Sequence, residues 1–164
     1  MTEERKHYNE VVLPQFIKSY VKVGNLVLDV GKPNDGWGYR GLFPAVNYLT
    51  VDRNPIVAPD ILDDMENTTL DEACADCVIC HGVWEQCDNP FKLVEGLRKV
   101  LKVGGYGLFG IMSIGFPMIQ DLDLCRFTPQ GVEKLLKDFS IVNLSVIDRQ
   151  GVPSYIYVIV KKEK

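Results

Sequence analysis

No stretch of this chain approaches the ~20 consecutive apolar residues that a membrane-crossing helix needs, so a membrane-embedded protein is not expected. The opening residues Met1-Thr2-Glu3-Glu4-Arg5-Lys6-His7 lack the apolar centre of a secretory signal, and a cytoplasmic location is the expectation. Basic charge is in short supply: 18 Lys and Arg stand against 22 Asp and Glu, for a formal net charge of −4. Proteins that bind nucleic acid carry a basic surplus to displace counterions from phosphates, so the balance argues against that partner. Gly and Pro number 14 and 9, too few for a low-complexity linker protein. The five cysteines are an odd count, which suits reduced thiols better than a disulfide framework.

What is present is ordinary globular composition. Of 164 residues, 46% are hydrophobic and 24% charged, enough chain for one domain with a real core. There is no internal repeat and no linker. Residues 1–164 therefore read as a single domain, with an N-terminal helical segment over 1–22 and a core over 23–161.

Cys74, Cys77 and Cys80 form a C-x-x-C-x-x-C run, followed by His81 and Cys87. Metal ligands must converge on one point. Asp76 to Cys80 reads as a buried strand, where residues three apart face opposite sides, so Cys77 and Cys80 point away from each other. Core thiols are the expectation, and no metal is expected.

Tyr8, Val11, Val12, Phe16 and Ile17 fall near a helical period, and Pro14 must kink or divide that segment. Leu26 to Val30 is an apolar strand containing Asp29. A loop rich in Gly, Pro, Asn and Asp follows from Gly31 to Gly41, and Tyr48 to Asp52 is a second strand closed by an acid. The stretch Ile61 to Ala73 reads as turns. Asp88-Asn89-Pro90 caps a helix with Val94, Leu97 and Leu101 on one face, stopped by Gly104-Gly105. Tyr106 to Ile114 is a strand, and Thr128-Pro129 caps a helix carrying Val132, Leu135, Leu136 and Phe139. Ile141 to Ile147 and Tyr155 to Val160 read as a closing antiparallel hairpin. Strands alternating with helices imply an α/β sandwich with a mainly parallel sheet, whose ligands bind beyond the carboxyl ends of the strands.

At those ends stand Gly31, which lets a backbone approach a ligand closely, and Asp52, 21 residues further on, where an acid can accept both ribose hydroxyls. Gly36-Trp37-Gly38-Tyr39-Arg40-Gly41 formally matches G-x-G-x-x-G. Gly36 nevertheless lies six residues past Val30 and too near Asp52, so a dinucleotide site is not expected there.

Five segments in order resemble the class I S-adenosylmethionine-dependent methyltransferases, and within them the small type 11 branch. They are Val27-Leu28-Asp29-Val30-Gly31, Val51-Asp52, the run from Asp76 to Pro90, Arg98-Lys99-Val100-Leu101-Lys102-Val103-Gly104-Gly105 and Arg126-Phe127-Thr128-Pro129. The resemblance covers roughly residues 24 to 160. It implies a Rossmann-like sandwich, with a seven-stranded sheet, an antiparallel edge hairpin and trimmed helices. It also implies S-adenosylmethionine as cofactor. Asp29 and Gly31 would shape the pocket around the methionine part, Asp52 would hold the ribose, and Asp64-Met65 would read adenine. Cys80, His81 and Gly82 would line the methionine side. On the acceptor side His81 and Glu85 are the candidate bases, with Asp121 and Asp123 beyond them, and Trp84 and Phe116 are candidate walls.

The chain departs from the family pattern at Pro33 and Asp35, which replace the second and third loop glycines, and at Gln86, which replaces a histidine. Two readings stay open. Gly36 and Gly38 supply the close approach a few residues late, in an enzyme acting on a small molecule or glycan. Otherwise the fold is kept as a catalytically inactive binding or assembly protein. Association with copies of itself or with another protein is compatible with both.

Overall fold

The computed structural model describes residues 6, 8–22, 24–32, 39–43, 47–117 and 123–164. Seven strands form one sheet: β1 (Leu26–Val30), β2 (Asn47–Asp52), β3 (Ile61–Leu62), β4 (Ala75–His81), β5 (Leu101–Met112), β6 (Ser140–Arg149) and β7 (Val152–Lys161). Their order across the sheet is β3-β2-β1-β4-β5-β7-β6. The five strands from β3 to β5 pair in parallel, and β7 pairs antiparallel with both β5 and β6. The order reverses between β1 and β4, and that reversal leaves a crevice at the carboxyl ends of the two strands.

Three helices cover this sheet among the described residues. α1 (Leu13–Tyr20) follows a π-helical stretch at Tyr8–Val12. Pro14 sits in the first turn of α1, so it divides the two as expected. α2 (Pro90–Val100) begins where Asn89 Oδ1 accepts the amides of Phe91 and Lys92. α3 (Pro129–Leu135) begins where Thr128 Oγ1 accepts the amide of Gly131.

Alternation along the strands divides the core into two layers. Leu13 and Phe16 of α1 pack with Val27, Cys77, Ile79 and Leu108 on one face. On the other, α2 and α3 pack with Leu28, Val30, Val78, Cys80 and Phe109. Cys77 and Cys80 therefore lie on opposite sides of β4, as the strand period predicts.

Two boundaries differ from the sequence reading. α2 ends at Val100, and Leu101 already pairs with Ala75 in β5. Gly104-Gly105 is thus a local irregularity within a strand: Gly104 adopts φ 80, and its amide donates to Lys162 O. The helix stop comes instead from the buried Lys162, whose Nζ donates to the carbonyls of Arg98 and Leu101. The turns expected over Ile61 to Ala73 contain the two-residue β3 and a 3₁₀ turn at Met65–Asn67.

The connections beside the crevice are short. The described part of the β1–β2 crossover holds a 3₁₀ turn at Arg40–Leu42, and the β2–β3 link holds another at Pro55–Val57. Close packing compensates on the other face. A Cβ on Gly96 of α2 would fall 1.8 Å from Met65 O, so the helix rests directly on the turn at Met65–Asn67. Glu66 in that turn accepts the amides of Asp88 and Asn89 through its two carboxylate oxygens, fixing the start of α2.

Candidate functional site

The crevice is built from the carboxyl ends of β1, β2 and β4. Gly31 leaves β1 at φ 90, and its amide donates to Val51 O. Any Cβ there would lie 2.3 Å from Val83 Cγ2, so only glycine lets the chain turn beneath the segment after β4. Asp52 closes β2 with Oδ1 accepting the amide of Asn54. That Asx turn leaves the carboxylate at the strand end, one register step beyond the Val30–Val51 pair. Asp64 caps the turn at Met65–Asn67 by accepting the amide of Glu66, while the Met65 side chain is buried in the core.

Asp29 is buried and accepts a hydrogen bond from Tyr48 Oη. Burial pushes its carboxyl up to about 7, against the lowering effects of the Tyr48 bond and the Arg40 charge. Tyr48 Oη also accepts the amide of Tyr39. Tyr39 in turn places its hydroxyl 2.6 Å from His81 Nδ1, with the two rings edge to face at 5.2 Å. A continuous polar chain thus runs from β1 through β2 and the crossover to the end of β4.

His81 lies at the crevice, partly exposed, between the Tyr39 and Tyr157 rings. Cys80 is fully buried beneath α2, so it can reach a ligand only through its backbone. Its carbonyl already accepts Trp84 Nε1. Trp84 is a core residue packed against Phe109, with no surface to offer an acceptor.

Glu85 is also buried. Its Oε1 accepts the Met112 amide, and its backbone carbonyl accepts the amides of Leu124 and Cys125. Burial pushes its carboxyl up to about 7, opposed by the amides of Met112 and of Glu85 itself and by Arg126. The carboxyl group thus ties the end of β5, and the carbonyl the segment leading to α3, to the turn after β4. Asp123 pairs with Arg126, whose Nη1 also donates to Ser113 O and whose guanidinium lies over the Phe116 ring. Phe116 borders the same side, its ring against Tyr155. Gly36, with Pro33, Asp35 and Gly38, lies outside the described residues, as does Asp121.

Residues 44–109 match the family model described as a methyltransferase domain. No curated protein matches by sequence. Among solved structures, a methyltransferase of Bacillus halodurans superposes with a TM-score of 0.73 at 15% identity, over 93% of this chain and 99% of that one. The 1,6-didemethyltoxoflavin-N1-methyltransferase of Burkholderia thailandensis, solved with its substrate and S-adenosylhomocysteine, gives 0.70 at 14% over 95% and 79%. A Haloferax volcanii methyltransferase in complex with the Trm112 activator gives 0.69 at 11% over 96% of each chain. The fold is that of the class I methyltransferases.

Within this methyltransferase fold the structure brings Gly31, Asp52, Asp29 and His81 to one crevice, on adjacent strands β2, β1 and β4. It places the Cys80 thiol and the Glu85 carboxylate in the interior. Tyr39 and Tyr48 carry the polar chain between them, and the sequence reading names neither as a site residue. Tyr48 had a latent signal. In parallel register Val27 opposes Tyr48 and Asp29 opposes Thr50, so Tyr48 and Asp29 share a face. Tyr39 had none, because its partner His81 is 42 residues away.

Proposed function

We propose that this chain binds S-adenosylmethionine in the crevice between β1 and β4 and transfers its methyl group to a small acceptor. The observation that carries the reading is that the methyltransferase-domain match, residues 44–109, spans Asp52, Asp64 and His81, on a sheet of methyltransferase order. Asp52 would accept the ribose hydroxyls, Gly31 would admit the cofactor backbone closely, and Asp64 with the Met65 amide would meet the adenine edge. Asp29, sealed by Tyr48, would act indirectly by shaping the floor.

The reaction is an in-line displacement in which the acceptor's lone pair bonds the sulfonium methyl while the carbon–sulfur bond breaks, releasing S-adenosylhomocysteine. Positioning and exclusion of water supply most of what the protein must contribute. Where the acceptor carries a proton, His81 would take it, a role supported by its Nδ1 contact with the Tyr39 hydroxyl. Glu85 holds the acceptor side in place instead.

Titration calorimetry with S-adenosylmethionine and S-adenosylhomocysteine tests this. Saturable binding is expected, weakened at least tenfold by Asp52→Ala. No heat and no thermal shift at millimolar ligand would overturn it. The reading of a catalytically inactive binding protein is favoured by one observation, the Tyr48 hydroxyl occupying the Asp29 carboxylate. A partner protein fits either reading, as the Haloferax volcanii methyltransferase in complex with its activator illustrates. Cofactor-saturable methylation of an extract component would exclude that second reading.

A further inference from the structure

The sheet ends in β6, whose only strand partner among the described residues is β7, so its outer row of amides and carbonyls meets no other strand among them. Native proteins protect such an edge with lysine, proline, a bulge or a covering element, and here the bulges lie only at the two ends of the regular stretch. From Ser140 to Ile147 there is no charge and no proline, and the strand is exposed along almost its whole length. Val142 and Val146 are 43% and 38% exposed.

The order of residues is informative. Ile141-Val142-Asn143-Leu144-Ser145-Val146-Ile147 has the same polarity read in either direction, centred on Leu144. Leu144 and Val146 oppose Val158 and Ile156, which places both on the α2–α3 face. Asn143 and Ser145 lie on the other face, joined by a 2.9 Å hydrogen bond. Two bulges, at Ile141/Asn143 and Ile147/Asp148, bound the regular stretch.

We propose that β6 pairs antiparallel with β6 of a second copy of this chain, about a two-fold axis through Leu144. In that register Leu144 meets its own counterpart and Asn143 meets Ser145, both inside the regular stretch from Asn143 to Ile147. The two apolar stripes join into one row on one face, and the amide and hydroxyl groups pair on the other. A two-fold interface requires a self-complementary surface, and a palindromic strand provides it. An unrelated partner strand would have no reason to match this symmetry. The inference is independent of the methyltransferase reading.

Sedimentation over a concentration series to ~200 µM suits an interface of this modest size. A reversible species of twice the 18.5 kDa chain mass is expected. N143K/S145K sets like charges opposite each other at two symmetric positions and is expected to weaken association about tenfold. N143K/S145D sets opposite charges at the same positions and is expected to restore it to within about threefold of the parent. Both positions are exposed, so unchanged circular dichroism verifies that the monomer folds. A monomer throughout the series, or the same response from both double variants, would overturn the proposal.

Discussion

Tyr48 Oη donates to Asp29 Oδ2 across adjacent strands, beneath the crevice where the cofactor is proposed to bind. The pair links site chemistry to stability, because Asp29 holds its proton to about pH 7 and Glu85 does the same. Their ordinary values are 3.8 and 4.5, so between roughly pH 4.5 and 7 the folded state binds protons that the unfolded state has released. Stability must then fall as pH rises through that window. Each group is expected to cost on the order of 2 kcal/mol between pH 5.5 and 8. Urea midpoints higher at pH 5.5 than at pH 8, flattened in D29N/E85Q, are the expected result. Tyr48→Phe removes a bond that lowers the Asp29 value, so its pH dependence should extend further toward alkaline pH.

Gly96→Ala tests the contact between α2 and the turn at Met65–Asn67. The added methyl would collide with Met65 O, a backbone atom that cannot swing aside. A loss at or above the upper end of ~1–3 kcal/mol is expected in denaturant melts. Because Asp64 caps that turn, the loss should come with weaker binding of S-adenosylhomocysteine.

Gly31→Ala separates two penalties. The clash with Val83 Cγ2 should be relieved by Val83→Ala, while the cost of φ 90 should persist. The double variant is expected to regain part of the stability lost by the single one, about 1 kcal/mol remaining absent from the backbone term. Thermal melts of the three proteins are the check.

Tyr39→Phe removes the 2.6 Å bond to His81 Nδ1 while keeping the ring. A single hydrogen bond of ~0.5–1.5 kcal/mol corresponds to a loss of about 2–10-fold in affinity or rate. A shifted pH–rate profile in this variant would identify His81 as the proton acceptor. An unshifted profile with weaker cofactor binding would assign Tyr39 to tethering the crossover alone.

The fold was legible because its signals are local and repeated. The apolar run of β1 with Asp29, the Asn89-Pro90 cap and the Thr128-Pro129 cap each specify an element from a few adjacent residues. The opposite facing of Cys77 and Cys80 followed from strand period alone. Gly104-Gly105 misled because a paired glycine after a helical face reads as a stop, whereas the stop is supplied by Lys162 from the far end of the chain. Within the candidate site, the spacing of Gly31 and Asp52 put them at neighbouring strand ends, where the structure has them. The burial of Glu85 could not, since its partners Met112, Leu124 and Cys125 come from the two segments flanking the end of β5.

That same Glu85 ties three stretches into one mechanical body: the turn after β4, the end of β5 and the approach to α3. Its neighbour four residues back is His81, at the mouth of the crevice. If the cofactor and acceptor bind as proposed, the elements on their two sides are joined through one side chain and one carbonyl.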